Sequence, residues 1–328
     1  MNKETELIHK AYCVLDGEPI TRELADELAQ LDGLHTLDLV SLANKVRAKF
    51  TPDIHACTIM NAKSGECSED CRFCAQSAHH DADIETFPLA SPDEIVNRAR
   101  IVHDTGVNNF GIVTSGYGFT ELDDTFKSVL HSIDLVQDTF PEIKVCASLG
   151  ILSEQTVTEL AKRKIQHYNI NLQTNPNRYK DLISTTHEIA DRVRTIKLLQ
   201  EHGIGVCCGG ILGLGESMQD RVELAYALKE LDVDVIPLNV LIPIEGTPLE
   251  NNALTSPAEI ARSFAIFRLI NPTKTIKFAA GRETRMKDFQ GLLMLAGVNG
   301  MLTGGYLTTR GRNTEDDESF IEDLKSFN

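Results

Sequence analysis

Lys63-Ser64-Gly65-Glu66-Cys67-Ser68-Glu69-Asp70-Cys71-Arg72-Phe73-Cys74-Ala75-Gln76 is the stretch on which the reading of this chain turns. Its cysteines are spaced C-x3-C-x2-C, and no fourth follows at comparable spacing. A metal site built here carries three protein ligands and leaves one position open, which is the arrangement of a reactive centre. A structural zinc site closes its tetrahedron with four Cys or His ligands, and His79 and His80 nearby keep that reading open. Thiolates crowded into one short loop suit an iron–sulfur cluster at least as well.

Outward from this loop, short apolar runs alternate with helical stretches, the pattern of βα units around a parallel sheet. The expected strands are Ile54–Met60, Asn108–Thr114, Lys144–Leu149, Tyr168–Thr174, Val206–Leu212, Val235–Ile242, Ile276–Ala280 and Met301–Thr303. Eight of them suggest an α/β fold of the closed (β/α)8, TIM-barrel type. Residues 1–50 read as polar amphipathic helices that cap the barrel, with Thr21 as an N-cap, and 51–328 as the barrel itself, within one domain overall. Ser91-Pro92-Asp93-Glu94 and Ser256-Pro257-Ala258-Glu259 both read as capping boxes with proline in the first turn. The apolar stripes behind them, Ile95/Ala99/Val102 and Ile260/Phe264/Phe267, read as faces that pack on the sheet. In such barrels chemistry sits at the carboxyl ends of the strands, and Cys67 to Cys74 follow the first strand.

The chain has 328 residues and a net charge of -16, from 48 acidic and 32 basic side chains. That balance speaks against nucleic acid and against an anionic membrane surface as partners. The acidic, polar start is unlike a signal peptide, no apolar run is long enough to span a membrane, and the expected location is the cytoplasm. Eight cysteines in a reducing compartment point to metal or redox work rather than to disulfides. Cys57, Cys146 and Cys207 each fall in a different expected strand. One such cysteine is usually a small buried hydrophobe; three on separate strands of one barrel suggest a second site. Cys208 should point away from Cys207, toward the helices, because successive strand residues alternate faces.

The C-x3-C-x2-C spacing with Phe73 before the last cysteine resembles the signature of radical S-adenosylmethionine (SAM) enzymes. The flanks Ser-Gly-Glu-Cys-Ser-Glu-Asp-Cys and Cys-Ala-Gln-Ser are similar to those of the biotin synthase family, and the likeness runs from about Lys45 to the end. It implies a 4Fe–4S cluster on Cys67, Cys71 and Cys74 that cleaves SAM to a 5'-deoxyadenosyl radical. It further implies dethiobiotin as substrate and an auxiliary iron–sulfur cluster as the sulfur source. A small electron donor of the flavodoxin or ferredoxin type and a homodimer complete the expectation.

By the same resemblance Cys146, Cys207 and Arg282 fall on auxiliary-cluster positions. The first auxiliary cysteine of the family is missing, because Gly111 stands in its place. The resemblance then makes Cys57 the replacement, and the shifted ligand favours a four-iron auxiliary cluster, with or without an extra sulfide, over the 2Fe–2S type. Phe73, Ser115, Asn171, Gln173, Arg192 and Ile211 match cofactor contacts. Ser115 belongs to the segment for the methionine amino group, Arg192 pairs its carboxylate, and Ile211 lies in the glycine-rich stretch beside adenine. Gln173 stands where an aspartate usually holds the ribose. Asn169, Asn171 and Asn239 match contacts to the ureido ring, a neutral group that amides suit. Two alternatives remain at this level: a related radical enzyme of the hydrogenase maturase or methylornithine synthase type, and a non-catalytic iron–sulfur or zinc sensor or carrier.

Overall fold

The computed structural model describes residues 2–304 and 314–327, so the expected span 51–328 includes positions outside the described residues. Eight strands pair in parallel: β1 (His55–Lys63), β2 (Asn109–Thr114), β3 (Lys144–Ser148), β4 (His167–Asn169), β5 (Gly205–Cys207, resuming at Gly210–Leu212), β6 (Val235–Val240), β7 (Thr275–Phe278) and β8 (Gly300–Leu302). The ladder closes on itself through β6–β7, β7–β8 and β8–β1, giving the expected barrel. Three helices precede it, α1 (Lys3–Ala11), α2 (Arg22–Ala29) and α3 (His35–Phe50). One helix follows each strand in turn: α4 (Pro92–Asp104), α5 (Asp124–Thr139), α6 (Glu154–Lys162), α7 (Ile189–Glu201), α8 (Met218–Glu230), α9 (Pro257–Ile270), α10 (Gln290–Leu295) and α11 (Thr314–Lys325).

Two strands differ from expectation, and the backbone explains both. β4 ends at Asn169, since Gln173 takes a left-handed conformation at φ 71° that no strand residue adopts. β5 breaks at Cys208-Gly209. On β6 the amides of Val240 and Leu241 donate to opposite neighbours, to Ala280 beyond β7 and to Leu212 of β5. By that alternation position 237 faces β5, and Pro237 has no N–H to offer. Gly209 lets the Pro237 carbonyl come close; a Cβ at 209 would lie 1.9 Å from that oxygen.

The helix starts follow their caps. Ser91 and Glu94 form the reciprocal capping box, and Thr21 accepts from the Leu24 amide. At Ser256 only half the expected box forms: its hydroxyl accepts from the Glu259 amide, while the Glu259 carboxylate is drawn 2.7 Å from Arg221 instead. A guanidinium attracts the carboxylate more strongly than a lone backbone N–H does.

The helices of residues 1–50 do not lie over an end of the barrel. α2 and α3 pack on the outer helices α8, α9 and α10, forming a third layer. That is why α9 is buried on nearly every face, Arg268 included. The Arg268 guanidinium donates to the carbonyls of Gly297, Asn271, Pro272 and Lys274 and to Asn299 Oδ1. Burial, with nearby Arg47, brings its pKa down to about 9. Arg268→Leu leaves several of these buried acceptors unpaired and is expected to cost about 3 kcal/mol or more, measured by denaturant unfolding. Loss of under about 0.5 kcal/mol would show that the site rehydrates.

Candidate active site

A cavity of about 560 Å³ occupies the lumen and opens at the carboxyl ends of the strands. Side chains enter it in levels, because alternate residues of each strand face inward and odd and even strands contribute to alternate levels. The third residue of each odd strand shares one level: Cys57 on β1, Cys146 on β3, Cys207 on β5 and Lys277 on β7. Directly above come Gly111, Asn169, Pro237 and Leu302 from the even strands, and two levels higher Val113, Asn171 and Asn239. Cys208 points the other way and is fully buried in the outer core, as alternation requires.

The cluster loop leaves β1 after a slip in register between Asn61 and Lys63. Cys67, Cys71 and Cys74 all line the mouth of the cavity. Burial pushes the Cys71 thiol up to about 12 and the Cys74 thiol up to about 11, the neighbouring thiols adding to both. Arg192 opposes the shift at Cys71. A metal centre displaces those protons, since thiolate is the ligating form. Among the described residues no three His, Cys, Asp or Glu side chains converge on a single ion, so His79 and His80 do not close a zinc tetrahedron with the cysteines. Each ring instead bonds a carbonyl of the loop, Ser68 O and Cys74 O. A four-iron cube holds its thiolates at separate corners and needs no such convergence, so the donor set fits that group.

A polar brace fixes the loop. The Asp70 carboxylate accepts the hydroxyls of Ser184 and Thr185 and the amides of Thr185 at 2.9 Å and Thr186 at 3.3 Å; the hydroxyls first and then the amides hold its pKa far below the usual carboxylate range despite burial. Glu69 accepts from the Thr186 hydroxyl at 2.7 Å and lies 2.8 Å from His187 Nδ1. Arg192 donates to His187 Nε2 at 3.2 Å, so the ring proton sits on Nδ1 and is donated to Glu69. Arg192 also donates to Tyr179 Oη at 2.6 Å and to the Asn171 carbonyl at 3.1 Å. Sequence reading reached Arg192 but missed Glu69, Asp70 and His187 as its support. The Glu-Asp pair inside the cysteine run was the available signal.

Phe73, Ser115, Asn171, Gln173 and Arg192 line the cavity together. Ile211 lies just outside the lining, in a small apolar cluster that Phe73 and Cys71 join. Gln173 combines a left-handed backbone with a buried Oε1 that has no hydrogen-bond partner. Strain and an orphan acceptor at one residue suit a site waiting for a hydroxyl donor, and ribose supplies one. Asn169, Asn171 and Asn239 all face the lumen; Asn169 donates to Cys207 Sγ at 3.5 Å, which ties the amide row to the thiol level.

Arg282 is the residue that geometry removes from the site. It lies beyond β7 outside the cavity lining, buried and paired with Asp317 at 2.8 Å and Glu283 at 2.9 Å. Gly281, at φ 88°, turns the chain out of the barrel before it. The cation that faces the thiols is Lys277, whose Nζ donates to Cys57 Sγ at 3.0 Å. Burial works against its charge, but Cys57, Cys207 and Cys146 outweigh that and raise its pKa. A charged residue in the middle of Thr275-Ile276-Lys277-Phe278 was the signal in the sequence.

A profile of the radical SAM superfamily matches residues 63–228, and one of the biotin and thiamin synthesis associated domain matches 237–326. Biotin synthase of Chlorobium luteolum is 56% identical over 322 residues, 98% of this chain and 97% of its own length. That of Chlorobaculum parvum is 55% identical over 325 residues, with 98% and 97% covered. Among solved structures, methylornithine synthase superposes with a TM-score of 0.80 at 17% identity, covering 98% of this chain and 96% of its own. An FeFe-hydrogenase maturase of Carboxydothermus hydrogenoformans does so at 0.80 and 18%, covering 99% and 78%. These two likenesses carry the fold.

Asp70→Ala removes the carboxylate that accepts the Thr185 and Thr186 amides, leaving Thr186 N–H only the Ser184 hydroxyl at 3.3 Å. Hydrogen exchange at Thr185 and Thr186 is expected to quicken about tenfold or more. Unchanged exchange there would show that Asp70 does not hold the turn.

Proposed function

The chain belongs to the biotin synthase family of radical SAM enzymes, and from that premise we propose how its own residues carry out sulfur insertion into dethiobiotin. It is an enzyme of the radical SAM, sulfur-inserting kind, and family membership implies a 4Fe–4S cluster, SAM and dethiobiotin. One observation carries the residue assignments: a level of three thiols and one lysine stands in the same lumen as the Cys67/Cys71/Cys74 loop, with a row of amides between them.

Cys67, Cys71 and Cys74 would hold the 4Fe–4S cluster, and Cys57, Cys146 and Cys207 an auxiliary cluster. When bound, these groups supply one-electron cleavage of SAM to the 5'-deoxyadenosyl radical and a sulfide for the substrate carbons. The protein's part is placement. Arg192, braced by His187 and Tyr179, presents a guanidinium to the methionine carboxylate, and Ser115 offers its hydroxyl beside the amino group. Gln173 Oε1 accepts from ribose, while Phe73 and Ile211 give adenine an apolar wall. Asn169, Asn171 and Asn239 supply donors and acceptors to the ureido ring, holding the reacting carbons between the two centres. The walls around them exclude water from the radical.

We read the auxiliary group as four-iron. β1, β3 and β5 are not neighbours, so the three thiols reach the lumen from separate sides, and Gly111 offers no ligand. Lys277 takes the fourth side and balances the negative charge of the thiolates. The proposal extends to a cytoplasmic homodimer served by a flavodoxin- or ferredoxin-type donor, with residues 1–50 packed outside a single barrel domain. No helix among the described residues is long and apolar enough to cross a membrane.

Anaerobic reconstitution followed by assay of 5'-deoxyadenosine and biotin tests the whole reading. No SAM cleavage would favour a sensor or carrier; cleavage without biotin would favour a related radical enzyme with another substrate. Cys57→Ala is expected to remove the auxiliary Mössbauer signal, spare that of the other cluster, and abolish biotin while 5'-deoxyadenosine still forms. An unchanged iron count would take Cys57 out of the site. Lys277→Met is expected to lower auxiliary iron at least about tenfold less severely than Cys57→Ala, since it removes charge balance and no thiolate; iron loss equal to that of Cys57→Ala would make the lysine a ligand.

A further inference from the structure

The cavity does not end at the thiol level. Toward the amino ends of the strands its lining continues through Asn109 and His167 to His55, Lys144 and Asp234, and the last three are exposed. A barrel of this type normally fills its lower levels with bulky branched side chains. Here the two lowest levels are His55, Lys144, Gly205 and Thr275 from the odd strands and Asn109, His167, Val235 and Gly300 from the even ones. Two of the eight are glycines and only Val235 is branched and apolar. Of the helices of residues 1–50, α2 and α3 pack on the outer helices α8, α9 and α10.

The mouth carries charge of both signs, Lys144 with Lys277 one level in against Asp234. Burial lowers the pKa of His167, and Asp234, Lys277, Lys144 and His55 all lie near enough to act on it electrostatically. The single carboxylate among them, Asp234, accepts the Val206 amide at 2.7 Å and still acts on His167 as a negative charge. A narrow polar passage with two lysines against one carboxylate along its wall favours small anions.

On the reading above, each product molecule removes a sulfur atom from the thiol level, while SAM and dethiobiotin fill the opposite end of the lumen. Resupply then needs a second way in, wide enough for a small reduced-sulfur species. We propose that the mouth at the amino ends of the strands is an inlet for hydrosulfide anion, which Lys144 draws in past the ring N–H groups of His55 and His167 toward Cys57, Cys146 and Cys207. Its passage moves no electron and breaks no bond.

The inlet rests on the sulfur-donor reading, and one experiment separates the two. Holoenzyme is taken through one turnover anaerobically, then given 34S-sulfide, and label is followed in protein-bound acid-labile sulfide. The variants are Thr275→Trp, which plugs the mouth, and Lys144→Glu, which reverses its charge at an exposed side chain and remains informative if the tryptophan variant does not fold. First-turnover biotin should match wild type in both, while uptake of label slows about tenfold. Equal uptake in wild type and both folded variants, or no uptake in wild type, would overturn the inlet. Failure of wild type to form biotin in the first turnover would instead sink the sulfur-donor reading.

Discussion

The bond between the Lys277 ammonium and the Cys57 sulfur expresses the constraint on which the site depends. In a closed parallel sheet every second residue faces the lumen, and strands two apart bring their inward residues to a common height. Cysteines 89 and 61 positions apart in sequence, and a lysine 70 positions beyond the last of them, therefore meet at one level. A slip of one residue in any strand would turn its member into the helical layer, where Cys208 already lies. The register that builds the core thus also assembles the donor set.

A different constraint governs the upper end. The cluster loop lies beyond the ladder, so its shape has to come from side chains. Asp70 and Glu69 provide it by gripping the 184–187 turn, and through His187 Glu69 also steadies Arg192. Loop and the Arg192 guanidinium at the cavity wall are in this way parts of one network. Charge-assisted bonds suit that task because they are short and directional, and burial strengthens them.

Polar atoms left unsatisfied mark where a ligand is expected. Gln173 carries a strained backbone and an orphan buried acceptor, a combination that costs stability and persists where function needs it. The lower mouth departs from barrel practice in the opposite sense, with too little bulk and too much polarity for a sealed floor. Both departures lie along a single cavity.

Much of this was legible before any coordinates. The cysteine spacing, the eight apolar runs and the capping residues depend on local chemistry, and they led to the barrel, the cluster loop and the inward amides of Asn169 and Asn171. Cys57, Cys146 and Cys207 were legible as a group as well, since each falls on a different strand. Arg282 was assigned wrongly because a match of residue type says nothing about which way a chain turns after a left-handed glycine. Lys277, the brace of Glu69, Asp70 and His187, and the open lower mouth were settled only when strands distant in sequence took up a common register. Sequence determines which groups alternate along one strand; the heights at which separate strands meet are set by closure of the sheet, and no single segment contains that information.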